Sequence, residues 1–107
     1  MTRLPEKEPV AATLDHEIDE LVRTILRQNG TQLQAIILIE EMAELIQVLC
    51  KMQRGKFDRE KLSEEFTHIK VNSEVIRRVM DIADEDVRAQ VRAKLAEYAA
   101  DAHTRNP

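Results

Sequence analysis

Residues 31–53, TQLQAIILIEEMAELIQVLCKMQ, decide the fold. Thr31 with Gln34 three positions on is a capping-box pattern. Apolar residues then recur every three or four positions, and Arg54-Gly55 closes the run, so the spacing predicts an amphipathic helix from about Thr31 to Gln53. At about 100° per residue, with Glu41 set at zero, Leu45 falls near about 40°, Leu38 near about 60° and Val48 near about 340°. Glu41 therefore points into the apolar arc. Gln47, Glu40 and Lys51 gather on the opposite side as a solvent face, and Glu44 lies on the border. The apolar arc is wide. Ala35, Leu38, Met42, Leu45, Leu49 and Met52 form one stripe and Ile36, Ile39, Ala43, Ile46 and Cys50 a second, which is more than one neighbouring helix can bury.

Upstream, Leu14, Ile18, Leu21, Val22, Ile25 and Leu26 read as a helix over about 14–27, ended by Asn29-Gly30. Downstream, Asp58 caps a helix over about 59–80 and Asp84 another over about 85–100. Short joins force sequential helices to lie antiparallel, so the expected architecture is all-α, an up-and-down four-helix bundle that oligomerises through its helix faces. Residues 14–102 form the single domain of that reading, with 1–13 as an N-terminal arm and 103–107 as a C-terminal tail.

Composition agrees. A chain of 107 residues with two Gly, three Pro and 3% aromatics lacks the turns and strand formers of a β-sandwich or barrel. A formal net charge of -4 is the wrong sign for a protein whose main task is gripping nucleic acid. The longest unbroken apolar run, Ala35 to Ile39, is far short of the roughly 20 residues of a membrane-spanning helix. Cys50 is the single cysteine and has no partner for an internal bridge, which fits a reducing cytoplasm. Cys50 and the four methionines read as packing residues.

The third helix repeats the pattern of the second. With Glu65 at zero, Ile69 falls near about 40°, Leu62 near about 60°, Asn72 near about 340° and His68 near about 300°. Two inward carboxylates on neighbouring helices need compensation, because like charges about 4 Å apart repel by about 4 kcal/mol at an effective dielectric of about 20. Raised pKa values are one remedy. A divalent cation is the better one, since Glu41 with Glu44 and Glu65 with His68 are pairs spaced three apart, each able to clamp one side of an ion. An oxygen-rich site of this kind suits Mg²⁺ or Mn²⁺, which in turn bind phosphate oxygens. Asn72 on the inward arc has two readings, a carboxamide for a base or sugar and a buried bridge between helices. Lys51, Arg54 and Lys56 cluster where cations complement a helix C-terminus.

Ile39-Glu40-Glu41-Met42-Ala43-Glu44-Leu45-Ile46, then Glu64-Glu65-Phe66-Thr67-His68, then Lys94-Leu95 in the last helix, resembles the MazG-like all-α nucleoside triphosphate pyrophosphohydrolases over roughly Asp19 to Tyr98. That family pairs an E-E-x-x-E motif with a downstream E-x-x-D motif, and its short members carry a Gly-x-x-x-Gln lead-in that Gly30 and Gln34 match. The resemblance implies hydrolysis of a (d)NTP to a (d)NMP and pyrophosphate with Mg²⁺ or Mn²⁺ as cofactor, in a homodimer or homotetramer. Glu41, Glu44 and Glu65 would be metal ligands, Glu40 a further ligand or, with Glu41, the catalytic base, and Gln34, Asn72 and Lys94 would face the substrate. One position departs: His68 stands where the family has Asp. Imidazole can ligate but removes a negative charge and supplies nitrogen, which favours Mn²⁺ and softer metals over Mg²⁺. The alternative the departure opens is a catalytically impaired nucleotide binder or a purely structural helical oligomer on the same fold.

Overall fold

The computed structural model describes residues 10–105. It is all-helical, with three helices in the order α1 (Val10–Gln53), α2 (Arg59–Val79) and α3 (Asp84–Arg105). The two helices expected over 14–27 and 31–53 are limbs of one element. Gly30, at φ 75 and ψ 164, breaks the helical backbone between them without a connecting loop. That conformation is essentially open to glycine alone, so the turn chemistry of Asn29-Gly30 holds and two helices meet at a kink there, as expected. The described residues thus form three helical elements, the first of them two helices joined at Gly30, and a four-helix bundle is not what they close into. Helix α1 begins at Val10, inside the expected arm, and α3 reaches Arg105, inside the expected tail. The remainder of both expected segments, residues 1–9 and 106–107, lies outside the described residues.

Helix α2 starts where its cap dictates. Asp58 is extended at φ -122 and ψ 99, and its carboxylate accepts from the Lys61 backbone N–H at 3.0 Å. The loop before it closes on Gly55, at φ 78, and the loop after α2 turns on Asp81 at φ 55. Asp84 is the first residue of α3 rather than its cap, and its carboxylate pairs with Arg88 at 2.9 Å.

Helix α2 runs antiparallel along α1. Asp19 meets Arg78, Gln34 meets Asn72 and Glu41 meets His68, so partners rise on one helix as they fall on the other. The α1–α2 hairpin is the one extensive helix pairing among the described residues; α3 packs on neither partner to a similar degree. The core is correspondingly thin. Val22, Val48 and Val75 are its buried apolar residues, joined by two buried polar ones, Gln34 and Glu65. Cys50 and Met42 are exposed rather than packed, because they lie on faces of α1 that α2 does not cover. The radius of gyration, 18.8 Å, exceeds the about 13 Å of a compact chain of this length.

Candidate metal centre

The hairpin brings together what helical phase implied. Glu41 and Glu44 from α1 and Glu65 and His68 from α2 each present one ligand atom, and all four atoms lie within 4.8 Å of one another. Opposite ligands of an ion at about 2.0–2.1 Å stand about 4.2 Å apart, so a small closure of side chains suffices to coordinate one. Burial is graded across the cluster. The Glu65 side chain is 0% exposed, Glu41 21% and His68 42%, while Glu44 opens to solvent.

Glu65 carries the tension of the site. Both of its carboxylate oxygens are buried without a hydrogen-bond partner. Two nitrogen atoms approach them instead: Lys61 Nζ lies 3.3 Å from Oε1, and His68 Nδ1 lies 3.7 Å from Oε2. His68 Nδ1 is nearer to Glu41, donating to its Oε2 at 3.0 Å. Burial pushes the Glu65 carboxyl up, but the close approach of the Lys61 ammonium and of the Glu44 carboxyl outweighs it and holds Glu65 below the ordinary carboxylate range. Glu44 takes the opposite shift. The Glu65 carboxylate beside it, and then the negative charge of Glu41, raise its carboxyl above the ordinary value. The cluster therefore concentrates negative charge beside a lysine, which is the setting in which a divalent ion would be held.

The other sequence candidates lie outside these four. Glu40 is exposed on the neighbouring face of α1. Gln34 and Asn72 are brought together one turn or more from the cluster, where Gln34 Nε2 donates to Asn72 Oδ1 at 2.6 Å. Gln34 is 2% exposed and accepts from Asn29 Nδ2 at 3.0 Å, and Asn72 Nδ2 donates to the His68 carbonyl at 2.7 Å. Their amides thus form a bridge between helices, and Gln34 reaches Asn29 and Asn72 rather than closing a box with Thr31. Asn72 also ties the backbone that presents His68. Lys94 sits on exposed α3, paired with Glu97 at 3.2 Å, and is not among the residues around the cluster.

Sequence reading passed over Lys61. The available signal was its position four residues before Glu65, which places an ammonium group on the same face of α2 one turn from the buried carboxylate. The carboxylates of Glu65 and Glu64 beside it hold Lys61 above its ordinary value. No protein-family model, curated protein or solved structure matches the chain.

Proposed function

We propose that the protein is a metal-dependent nucleoside triphosphate pyrophosphohydrolase, converting a (d)NTP and water to a (d)NMP and pyrophosphate. The observation that carries this reading is the wholly buried Glu65, whose two oxygens lack hydrogen-bond donors and face Glu41, Glu44 and His68. The motif order E-E-x-x-E then E-x-x-H supplies the reaction class by resemblance. Glu41, Glu44, Glu65 and His68 would hold Mg²⁺ or Mn²⁺. Such an ion, when bound, screens the charge of a triphosphate and of the pyrophosphate that leaves.

The residues divide the remaining work. Glu41, or Glu40 beside it, takes a proton from the attacking water; the water oxygen forms its bond to the α-phosphorus as the α–β bridging bond breaks. His68 would offer a ring nitrogen to such an ion, and the Asn72 contact to the His68 carbonyl fixes the backbone that carries it. Gln34, Asn72 and Lys94 remain the candidates for nucleotide contact.

The active unit in this reading is a homodimer or homotetramer acting in the reducing cytoplasm, where α1–α2 hairpins of two copies complete a four-helix bundle. Its support is the apolar surface a single chain leaves bare. Ile36, Ile39, Ala43, Ile46 and Cys50 follow a heptad seam on α1 and are all exposed, Ile39 and Ile46 each at 60%. The chain exposes 9358 Å², against about 6,100 Å² for a compact monomer of this mass. That surplus exceeds the roughly 800 Å² each partner contributes to a standard interface. The same surface favours the second reading, a non-catalytic helical oligomer.

The deciding experiment is pyrophosphate release from nucleoside triphosphates with Mn²⁺, for the unaltered chain and for Glu41→Ala and Glu65→Ala. Loss of turnover with helical content retained supports the hydrolase. Metal-stimulated turnover that is unchanged in both variants refutes the assignment.

A further inference from the structure

The geometry points to a polyphosphate-binding pocket beside the metal cluster, in which Lys51, Lys56 and Lys61 receive the phosphates beyond the one held at the cluster. The pocket is about 230 Å³ and is lined by Glu44, Val48, Lys51, Lys56, Asp58 and Lys61. It is a wall-sharing neighbour of the cluster, because Glu44 belongs to both. Three elements converge there: the C-terminal turn of α1 supplies Lys51, the loop supplies Lys56, and the first turn of α2 supplies Lys61.

Positive charge exceeds negative in the pocket, with Lys51, Lys56 and Lys61 against Glu44 and Asp58. Lys51 and Lys56 have no acidic partner among the described residues, although their backbones are joined by the bond from the Lys56 N–H to the Lys51 carbonyl at 2.9 Å. Asp58, the one carboxylate of the pocket outside the cluster, spends an oxygen on capping α2. Lys61 leans out of the pocket toward Glu64 at 3.4 Å and Glu65 at 3.3 Å. Two ammonium groups without acidic partners and a third at the boundary together make a site for several phosphate oxygens rather than for one carboxylate. The C-terminal cations of α1 therefore do more than complement a helix dipole. The ligand class is a polyphosphate chain: the triphosphate tail of the substrate, or free pyrophosphate.

This inference deepens the hydrolase reading by orienting the substrate, with the α-phosphate at the cluster and the leaving pyrophosphate on the lysines. Its test separates the two. Inorganic pyrophosphate and inorganic monophosphate are titrated calorimetrically into the full chain at low ionic strength with chelator present, and Mn²⁺ is titrated alone. The same series is run on Lys51→Gln/Lys56→Gln, which spares Lys61 and the cluster, and on Lys56→Glu, with helical content checked for each. Pyrophosphate should bind about tenfold or more tighter than monophosphate, and lose about tenfold or more in both variants while Mn²⁺ affinity holds. Pyrophosphate affinity unchanged by the variants, equal to that of monophosphate, or absent from the unaltered chain would overturn the pocket. Pyrophosphate bound and lysine-dependent, with no Mn²⁺ binding at all, would support the pocket while removing the hydrolase reading.

Discussion

Glu65 and His68 sit three positions apart on α2 and carry opposite consequences for any ion they share. The Glu65 carboxylate is fully buried and supplies charge; His68 is partly exposed and supplies a neutral nitrogen where the resembled family has a second carboxylate. Nitrogen ligands lower the preference for Mg²⁺ relative to Mn²⁺, so His68→Asp should raise Mg²⁺-supported turnover relative to Mn²⁺-supported turnover. Initial rates with each metal measure that ratio, and a ratio unmoved by the change would place His68 outside the ligand set. The Gln34–Asn72 bridge makes a different forecast. Truncating Asn72 to Ala strands the buried Gln34 amide, which costs about 1–3 kcal/mol, read as a lowered denaturant midpoint with an unchanged slope. Stability untouched by that substitution would contradict the bridging role.

At the scale of elements, the two limbs of α1 meet at the Gly30 kink and α2 is the strut that holds both. Nothing lies within 4 Å of a Cβ built on Gly30, so Gly30→Ala meets no steric obstacle and its cost is that of the backbone conformation, about 1–3 kcal/mol. Thermal or chemical denaturation reads the loss, and a neutral substitution would mean the limbs rearrange freely about that point. The first limb is held by Arg78, which donates to Asp19 and to Glu74, while Arg77 also donates to Glu74. Hydrogen bonding from Arg77 outweighs the burial of Glu74 and, with Arg78, keeps its carboxyl below the ordinary value of 4.5. A carboxyl lowered on folding contributes stability above its unfolded pKa and loses it as pH falls through the folded one. The latch should therefore weaken on acidification from about pH 4.5 downward, and Glu74→Gln should flatten that part of the melting-temperature profile. Much of this scale was legible. The Asp58 cap, the Asn29-Gly30 break and the inward phase of Glu41 and Glu65 follow from local rules of helix geometry. That the two limbs of α1 meet directly at Gly30 was not, because a capping box and a glycine mark a helix boundary without fixing whether a loop intervenes. Nor was the pairing of Gln34 with Asn72, which joins positions 38 apart and depends on how two helices are phased against each other.

The whole molecule is an elongated hairpin with an added helix, 65 × 36 × 27 Å, rather than a closed bundle. Helical periodicity located the apolar stripes but not their occupants: a stripe looks the same whether its partner is in the same chain or in another. Two copies joined through the α1 seam would cover Ile36, Ile39 and Ile46, and Ile39→Lys with Ile46→Lys should then shift the sedimentation coefficient to that of a monomer. A monomer before any substitution would contradict the assembly. The cation site is the claim on which the rest depends, and it is tested most directly by titrating Mn²⁺ into the intact protein and into Glu65→Gln, following free Mn²⁺ by electron paramagnetic resonance and stability by thermal melting. The unaltered chain should bind saturably and gain about 2.7 kcal/mol at a metal concentration 100 times its dissociation constant, with both effects lost in the variant. Equal binding and equal stabilisation of the two proteins would contradict it.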